Sequence, residues 1–334
     1  MNQYNPTNPS LFFSKDDQQD VRIGELAHRW DQWLDLNEFK TQLQSTEEKA
    51  EFKSYYLGGY PDDDGIKLNG GRIGARKAPD AIRKFLYRMT PPLDESKRKF
   101  KLNDIGNLST QLDLSERHES GRRYVQTILE EGCNFIGLGG GHDYAYPDGA
   151  GFLKACLNQE TQDQKPLILN IDAHLDVRPL DKGLSSGTPF YRLLSEFEGQ
   201  FDFVEIGIQD HCNSSFHLNW AIEKGAQIIP FSDFDHTDAS PFEFLKKKLS
   251  ALMSPGRPTY LSIDIDGFSS SFAMGCSQSW ATGFHPNDIF PLISWLKKQV
   301  DVRVLGIYEV SPPLDLDDRT SKLASQLIYQ YLTT

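Results

Sequence analysis

The sequence predicts an α/β protein built on a mostly parallel sheet with helices on both faces. Two observations carry that expectation. From about residue 52 onward, short apolar runs alternate with longer amphipathic ones, the pattern of repeated strand–helix units. Polar side chains of metal-binding type then fall directly after several of the apolar runs. A parallel sheet presents its ligand-binding groups there, beyond the carboxyl ends of its strands.

In chain order, strands are expected at Ser54–Leu57, Asn134–Leu138, Leu167–Ile171, Phe203–Ile208, Gln227–Pro230, Pro258–Ile265 and Val302–Val310. Each is a short run rich in aliphatic, β-branched or aromatic residues. Helical periodicity is read at Ala78–Arg88, Ser120–Glu131, Pro241–Met253 and His285–Gln299. Residues 1–50 are polar and partly helical in pattern, with Trp30, Trp33, Leu34 and Phe39 available for packing. They read as an N-terminal extension of one domain spanning residues 1–334. Two stretches break the regularity: glycine-rich Leu68–Ala75 and the Gly/Ser-rich loop Asp181–Thr188.

The chain of 334 residues can bury one large core. A net charge of −12 argues against non-specific binding to nucleic acid or anionic membrane. No apolar run approaches the ~20 residues needed to span a bilayer. The start, Met1–Pro6, lacks the basic segment and apolar core of a signal peptide. Cys133, Cys156, Cys212 and Cys276 are scattered and read as reduced thiols, which together with the start predicts a cytoplasmic protein. Cys276, the one nearest in sequence to the metal-seeking residues, reads as buried packing.

The chemistry concentrates in three places. Asp172, His174 and Asp176 stand two residues apart after an apolar run, so in an extended segment they would share one face. Asp264 and Asp266 repeat the spacing after Tyr260–Ile263, and His142 follows the run Gly139–Gly141. Four carboxylates and two imidazoles exceed what one catalytic ion with open positions needs. They suit two ions about 3.5–4 Å apart, with carboxylates and a hydroxide shared between them. Oxygen and nitrogen donors without a thiolate favour Mn²⁺ over a structural zinc centre. Glu309 closes the last apolar run, either as a cap or loop partner or as a group aimed into the same cleft.

Other motifs read as structural. Gly137-x-Gly139 is no dinucleotide loop, because His142 occupies the third glycine position. There is no Walker A sequence. His211, Cys212 and His217 have irregular spacing and read as surface-loop residues, and His236 lies in a polar loop.

Taken together, Gly139-Gly140-Gly141-His142-Asp143, Asp172-Ala173-His174-Leu175-Asp176, Ser262-Ile263-Asp264-Ile265-Asp266 and Glu309-Val310 resemble the ureohydrolase superfamily over about residues 55–330. That superfamily contains arginases, agmatinases and formimidoylglutamases. The resemblance implies an arginase-like three-layer α/β/α sandwich with a central, mostly parallel sheet and two Mn²⁺ ions per subunit. It implies one ion held by His142, Asp172, Asp176 and Asp264, and a second by Asp172, His174, Asp264 and Asp266. Asp176 would also pass a proton from the metal hydroxide to the leaving nitrogen. Glu309 would pair with the cationic amidine-like group of the substrate.

Within the superfamily, Gly65–Ala75, Asp176-Val177-Arg178-Pro179 and Ser185-Ser186-Gly187-Thr188-Pro189-Phe190 are most similar to formimidoylglutamases. Arg178 stands where arginases carry an asparagine and could grip a carboxylate in a bidentate pair. Ser186 stands where arginases and agmatinases place a histidine, which argues against their usual chemistry. Gly267-Phe268 and Ala273–Cys276 replace the usual features after the second Asp-x-Asp.

The implied reaction is hydrolysis of N-formimino-L-glutamate to L-glutamate and formamide, a step of histidine degradation in the family. Arg178, Ser186, Asn213 and Glu309 would contact the substrate. The alternatives are release of urea from a guanidino acid such as arginine or guanidinobutyrate, and a metal-binding pseudoenzyme. The expected partner is a small amidine or amino-acid substrate. A homo-oligomer is compatible with the sequence.

Overall fold

A computed structural model describes residues 4–15, 19–31, 35–47, 52–158 and 164–334. Ten strands form one sheet: β1 Tyr4–Asn5, β2 Ala27–Arg29, β3 Lys53–Gly59, β4 Phe100–Leu108, β5 Asn134–Leu138, β6 Leu167–Ile171, β7 Asp202–Ile208, β8 Ala226–Pro230, β9 Pro258–Asp264 and β10 Asp301–Tyr308. The order is β1-β4-β3-β5-β10-β9-β6-β7-β8, with β2 sharing the β4 edge with β1. Every strand pair is parallel except β1 with β4. The seven expected strands and four expected helices are present, with ends moved by a few residues.

Helices cover both faces, so the inner strands bury both sides. On β6, Leu167, Leu169 and Ile171 point into one apolar cluster and Ile168 into the other, the period of two that a pleated strand imposes. At up to about 25 cal/mol per Å² of apolar surface, these two clusters dominate stability.

The longest strand absent from the sequence reading is β4. Its sequence, Phe-Lys-Leu-Asn-Asp-Ile-Gly-Asn-Leu, places Asn103 and Asp104 at fully buried positions. Asp104 is tolerable there because Arg83, itself buried, donates to both of its carboxylate oxygens at 2.9 and 3.0 Å. Thr7 and Tyr87 donate to the same carboxylate. A strand whose buried charge is satisfied from other elements has no continuous apolar signature of its own.

The helix Ala145–Leu157 was hidden for the opposite reason. It is buried almost all round, so it shows no amphipathic period. Its Gly151 lies against the helix Leu114–Glu130, where a Cβ would meet the Arg122 carbonyl oxygen at 2.7 Å.

Near the N-terminus, β1 and β2 extend the sheet, and Trp30 and Phe39 are buried with ring centroids 5.2 Å apart. Trp33 and Leu34 lie outside the described residues. Among the described residues no helix is long and apolar enough to cross a membrane.

The strand order creates the crevice. After β5 the chain crosses to β6, and β9 and β10 later fill the space between them. The segments following β5, β10, β9 and β6, four neighbouring strands, therefore meet at one edge. The glycine run after β5 exists because backbone crowds it from both sides. Gly139 N–H donates to Ile307 O at 2.7 Å, Glu309 N–H donates to Gly140 O at 2.9 Å, and Gly141 N–H donates to Asp62 O at 3.2 Å. A Cβ on Gly140 would sit 1.9 Å from Asp62 O. Gly140→Ala is therefore expected to lower stability by about 1–3 kcal/mol or more, because the clash is with backbone that cannot rotate away. Urea denaturation of the metal-free protein checks this.

Candidate metal centre and substrate cleft

The residues singled out in the sequence converge. His142 opens the turn after β5, Asp172 follows β6, Asp264 ends β9, and Glu309 follows β10. β6 itself stops at Ile171, so Asp172, His174 and Asp176 are not carried by an extended strand. They come from an irregular loop and part company: Asp176 turns to His142, and His174 to Asp266. Asp176 reaches its place with φ of 47°, and Glu309 with φ of 63°. Left-handed backbone at a non-glycine residue costs about 1–3 kcal/mol, so both carboxylates are held in place by their surroundings.

Two donor groups result. His142, Asp172, Asp176 and Asp264 form one, and Asp172, His174 and Asp266 the other, so Asp172 is common to both. His142 Nδ1 stands 3.0 Å from Asp172 Oδ2, 2.9 Å from Asp176 Oδ2 and 3.2 Å from Asp264 Oδ2. His174 Nδ1 stands 2.9 Å from Asp266 Oδ2 and 3.6 Å from Asp172 Oδ1. Asp264 groups with the first set.

Neighbouring backbone and side chains orient these ligands. Asp172 Oδ1 accepts from His174 N at 2.6 Å, Asp264 Oδ1 from Asp266 N at 2.9 Å, and Asp266 Oδ1 from Ala173 N at 3.3 Å. Asn170 Nδ2 donates to Asp172 Oδ2 at 3.3 Å and to buried Glu205 at 2.8 Å. Outer partners of this kind fix ligand geometry in metal sites.

The arrangement fits divalent cations. Ser262 Oγ lies 3.0 Å from His142 Nε2, which leaves Nδ1 buried, without a hydrogen-bond partner, and facing three carboxylates. Burial pushes Asp264 well above the ordinary carboxylate range, and its neighbours Asp266 and Asp172 push it further. Burial likewise lifts Asp266 to about 6 against the pull of His174. Burial disfavours a charged His142, yet Asp172, Asp176 and Asp264 outweigh it and hold the imidazole well above its usual range. So much buried acid calls for positive charge, and oxygen and imidazole donors without thiolate suit Mn²⁺. Because carboxylates and imidazoles must be deprotonated to ligate, metal affinity falls as pH falls.

Beside these ligands opens a cleft of about 330 Å³. Glu309 lies against its acidic floor. Its Oε1 accepts from His142 N at 3.1 Å, and its Oε2 is buried with no hydrogen-bond partner. Burial, then Asp264, keeps its carboxyl well above the usual range. Arg178 lines the cleft, exposed, and its side chain has no hydrogen bond or ion pair among the described residues. Ser186 lines it too, with its Oγ accepting from Asn69 Nδ2 at 3.2 Å.

Asn213 is engaged with backbone. Its Oδ1 accepts from Leu175 N at 2.9 Å, and its Nδ2 donates to Ala173 O at 2.9 Å and Gln209 O at 2.8 Å, pinning the loop that carries His174. His211, Cys212 and His217, read from sequence as surface-loop residues, line the cleft as well. Irregular spacing concealed them, although the stretch follows β7, whose carboxyl end faces the same edge. Cys276 is fully buried, its thiol near the carbonyls of Ala273 and Gln278.

A mostly parallel sheet, with His/Asp donor groups at the meeting point of four strands, is the arrangement of a metal-dependent hydrolase. The chain belongs to the arginase family, whose model matches residues 55–333. It is 31% identical to the formimidoylglutamase of Streptococcus gordonii over 305 residues, covering 90% of each chain. Among solved structures it resembles Trypanosoma cruzi formiminoglutamase, determined with Mn2+2, at a TM-score of 0.74 and 28% identity. That match covers 88% of this chain and 97% of the other. The Bacillus subtilis formimidoylglutamase shares the fold at a TM-score of 0.77 and 23% identity, over 96% of this chain and 94% of its own.

Proposed function

We propose that the protein hydrolyses N-formimino-L-glutamate to L-glutamate and formamide, with two Mn²⁺ ions bound, in histidine degradation. The observation that carries this reading is the polarity of the cleft. Among the described residues, an unpartnered carboxylate oxygen of Glu309 lies at its floor and an unpaired guanidinium of Arg178 at its mouth. A substrate matching both is cationic at one end and carries a carboxylate at the other. Formiminoglutamate is such a molecule, whereas agmatine, a dication, would be repelled by Arg178. The formimidoylglutamase relatives support the same choice.

When bound, the ions would supply a nucleophile from water near neutral pH and offset developing negative charge. His142, Asp172, Asp176 and Asp264 would hold one, and Asp172, His174, Asp264 and Asp266 the other. Glu309 Oε2 orients the formimino group by accepting from its nitrogen. Asp176 carries a proton to the glutamate nitrogen as the bond between that nitrogen and the formimino carbon breaks. Oxygen from water ends in formamide, and the amine leaves as glutamate. Arg178 holds a carboxylate, and Ser186 bounds the same end of the cleft. Asn213 acts by keeping the His174 loop in place.

The test is steady-state kinetics on formiminoglutamate, arginine, agmatine and guanidinobutyrate, with wild type and Arg178→Ala. Turnover of formiminoglutamate alone is expected. Arg178→Ala should raise KM for it about tenfold, since the residue is exposed and its charge-assisted contact is screened. An uncharged amidine should be unaffected. Urea from any guanidino substrate, or equal losses on both substrate types, would overturn the assignment.

A further inference from the structure

We propose that Arg192, His118 and Asp143 form a positioning relay that fixes the spacing of His142 and Asp176 and so sets the affinity of the ion held by those two residues. The inference rests on the two-ion reading above but concerns residues outside the donor groups.

Its geometry is one-directional. Arg192 Nη1 lies 2.8 Å from His118 Nδ1, and His118 Nε2 lies 2.8 Å from Asp143 Oδ2. A guanidinium can only donate, so His118 Nδ1 must accept and the imidazole proton sits on Nε2, donating to Asp143. His118 is fully buried, and burial holds its pKa below the ordinary value, in keeping with a neutral ring locked in one tautomer. Arg192 is fixed in turn by Tyr146, whose ring centroid lies 3.1 Å from the guanidinium carbon.

Each end of the relay reaches a metal ligand by a short path. Asp143 directly follows His142, and its Oδ1 is buried without a partner among the described residues, wedged where a Cβ on Gly65 or Gly141 would lie 2.1 or 2.4 Å away. Arg192 belongs to the helix Pro189–Glu196, and Phe190 N–H on that helix donates to Asp176 O at 3.2 Å. The Phe190 ring also packs edge-on against His142, with centroids 5.4 Å apart. The helix Leu114–Glu130, which carries His118, is itself anchored where Arg117, the residue before His118, pairs with Asp62 and with Asp64 at 2.6 Å. Loss of the relay would let the His142 turn and the Asp176 loop move apart while leaving His174 and Asp266 untouched.

The test titrates Mn²⁺ into metal-free wild type, His118→Gln, His118→Asn and Arg192→Met. Calorimetry gives the two affinities, spin resonance separates single from paired ions, and thermal melting follows the metal-free fold. Glutamine can still donate to Asp143, whereas asparagine is too short to do so. His118→Asn is expected to weaken one ion about tenfold or more and spare the other, with His118→Gln restoring most of the loss. Arg192→Met, which keeps an apolar stem, should weaken the same ion even if the His118 variants do not fold. Unchanged affinities, or equal weakening of both ions in step with a lower melting temperature, would overturn the relay. Wild type that takes up fewer than two ions would instead remove the two-ion reading, and the inference with it.

Discussion

Asp172→Ala should leave a folded protein that takes up neither ion tightly and turns over at least ~10³-fold more slowly than wild type. Asp172 belongs to both donor groups, so its loss strips a ligand from each. It also leaves His142 and His174 facing fewer carboxylates, weakening what attracts a cation to either position. Metal content after dialysis, together with kcat, checks the outcome. Two ions retained at full activity would show that the donor groups are not the catalytic centre.

Glu309→Gln should separate chemistry from metal binding. Glutamine is of the same size and keeps an oxygen for the His142 amide, so the turn and the two donor groups should persist. It removes the charge opposite the cationic amidine in a buried place. Truncating a buried charge pair costs about 2–5 kcal/mol, so kcat/KM should fall ~10²-fold or more with two ions still bound. Loss of metal would make Glu309 structural, and retained activity would place it off the reaction path.

Legibility from sequence followed the physics of each element. Strands β6, β9 and β10 were readable because both of their faces are buried and few polar residues interrupt them. The six residues of the two donor groups were readable because they are of unusual types, Asp and His, close to where apolar runs end. β4 was not, since its buried Asp104 is compensated by Arg83, 21 residues earlier in the chain and on another element. Nor could spacing show how the Asp172–Asp176 segment divides between two groups. That depends on a left-handed turn at Asp176, for which the sequence offers no glycine as a marker. His211, Cys212 and His217 were read only as surface-loop residues because a cleft wall has no periodicity. Arg192, His118 and Asp143 touch only through tertiary contacts, far apart in the chain.

The most direct measurement is turnover of N-formimino-L-glutamate by the Mn²⁺-loaded protein in ¹⁸O-labelled water, with products resolved by mass spectrometry. Labelled formamide and unlabelled glutamate, in equal amounts, are predicted, because water attacks the formimino carbon and the glutamate nitrogen departs. Ammonia with labelled N-formylglutamate, or no product while two ions are bound, would contradict the account.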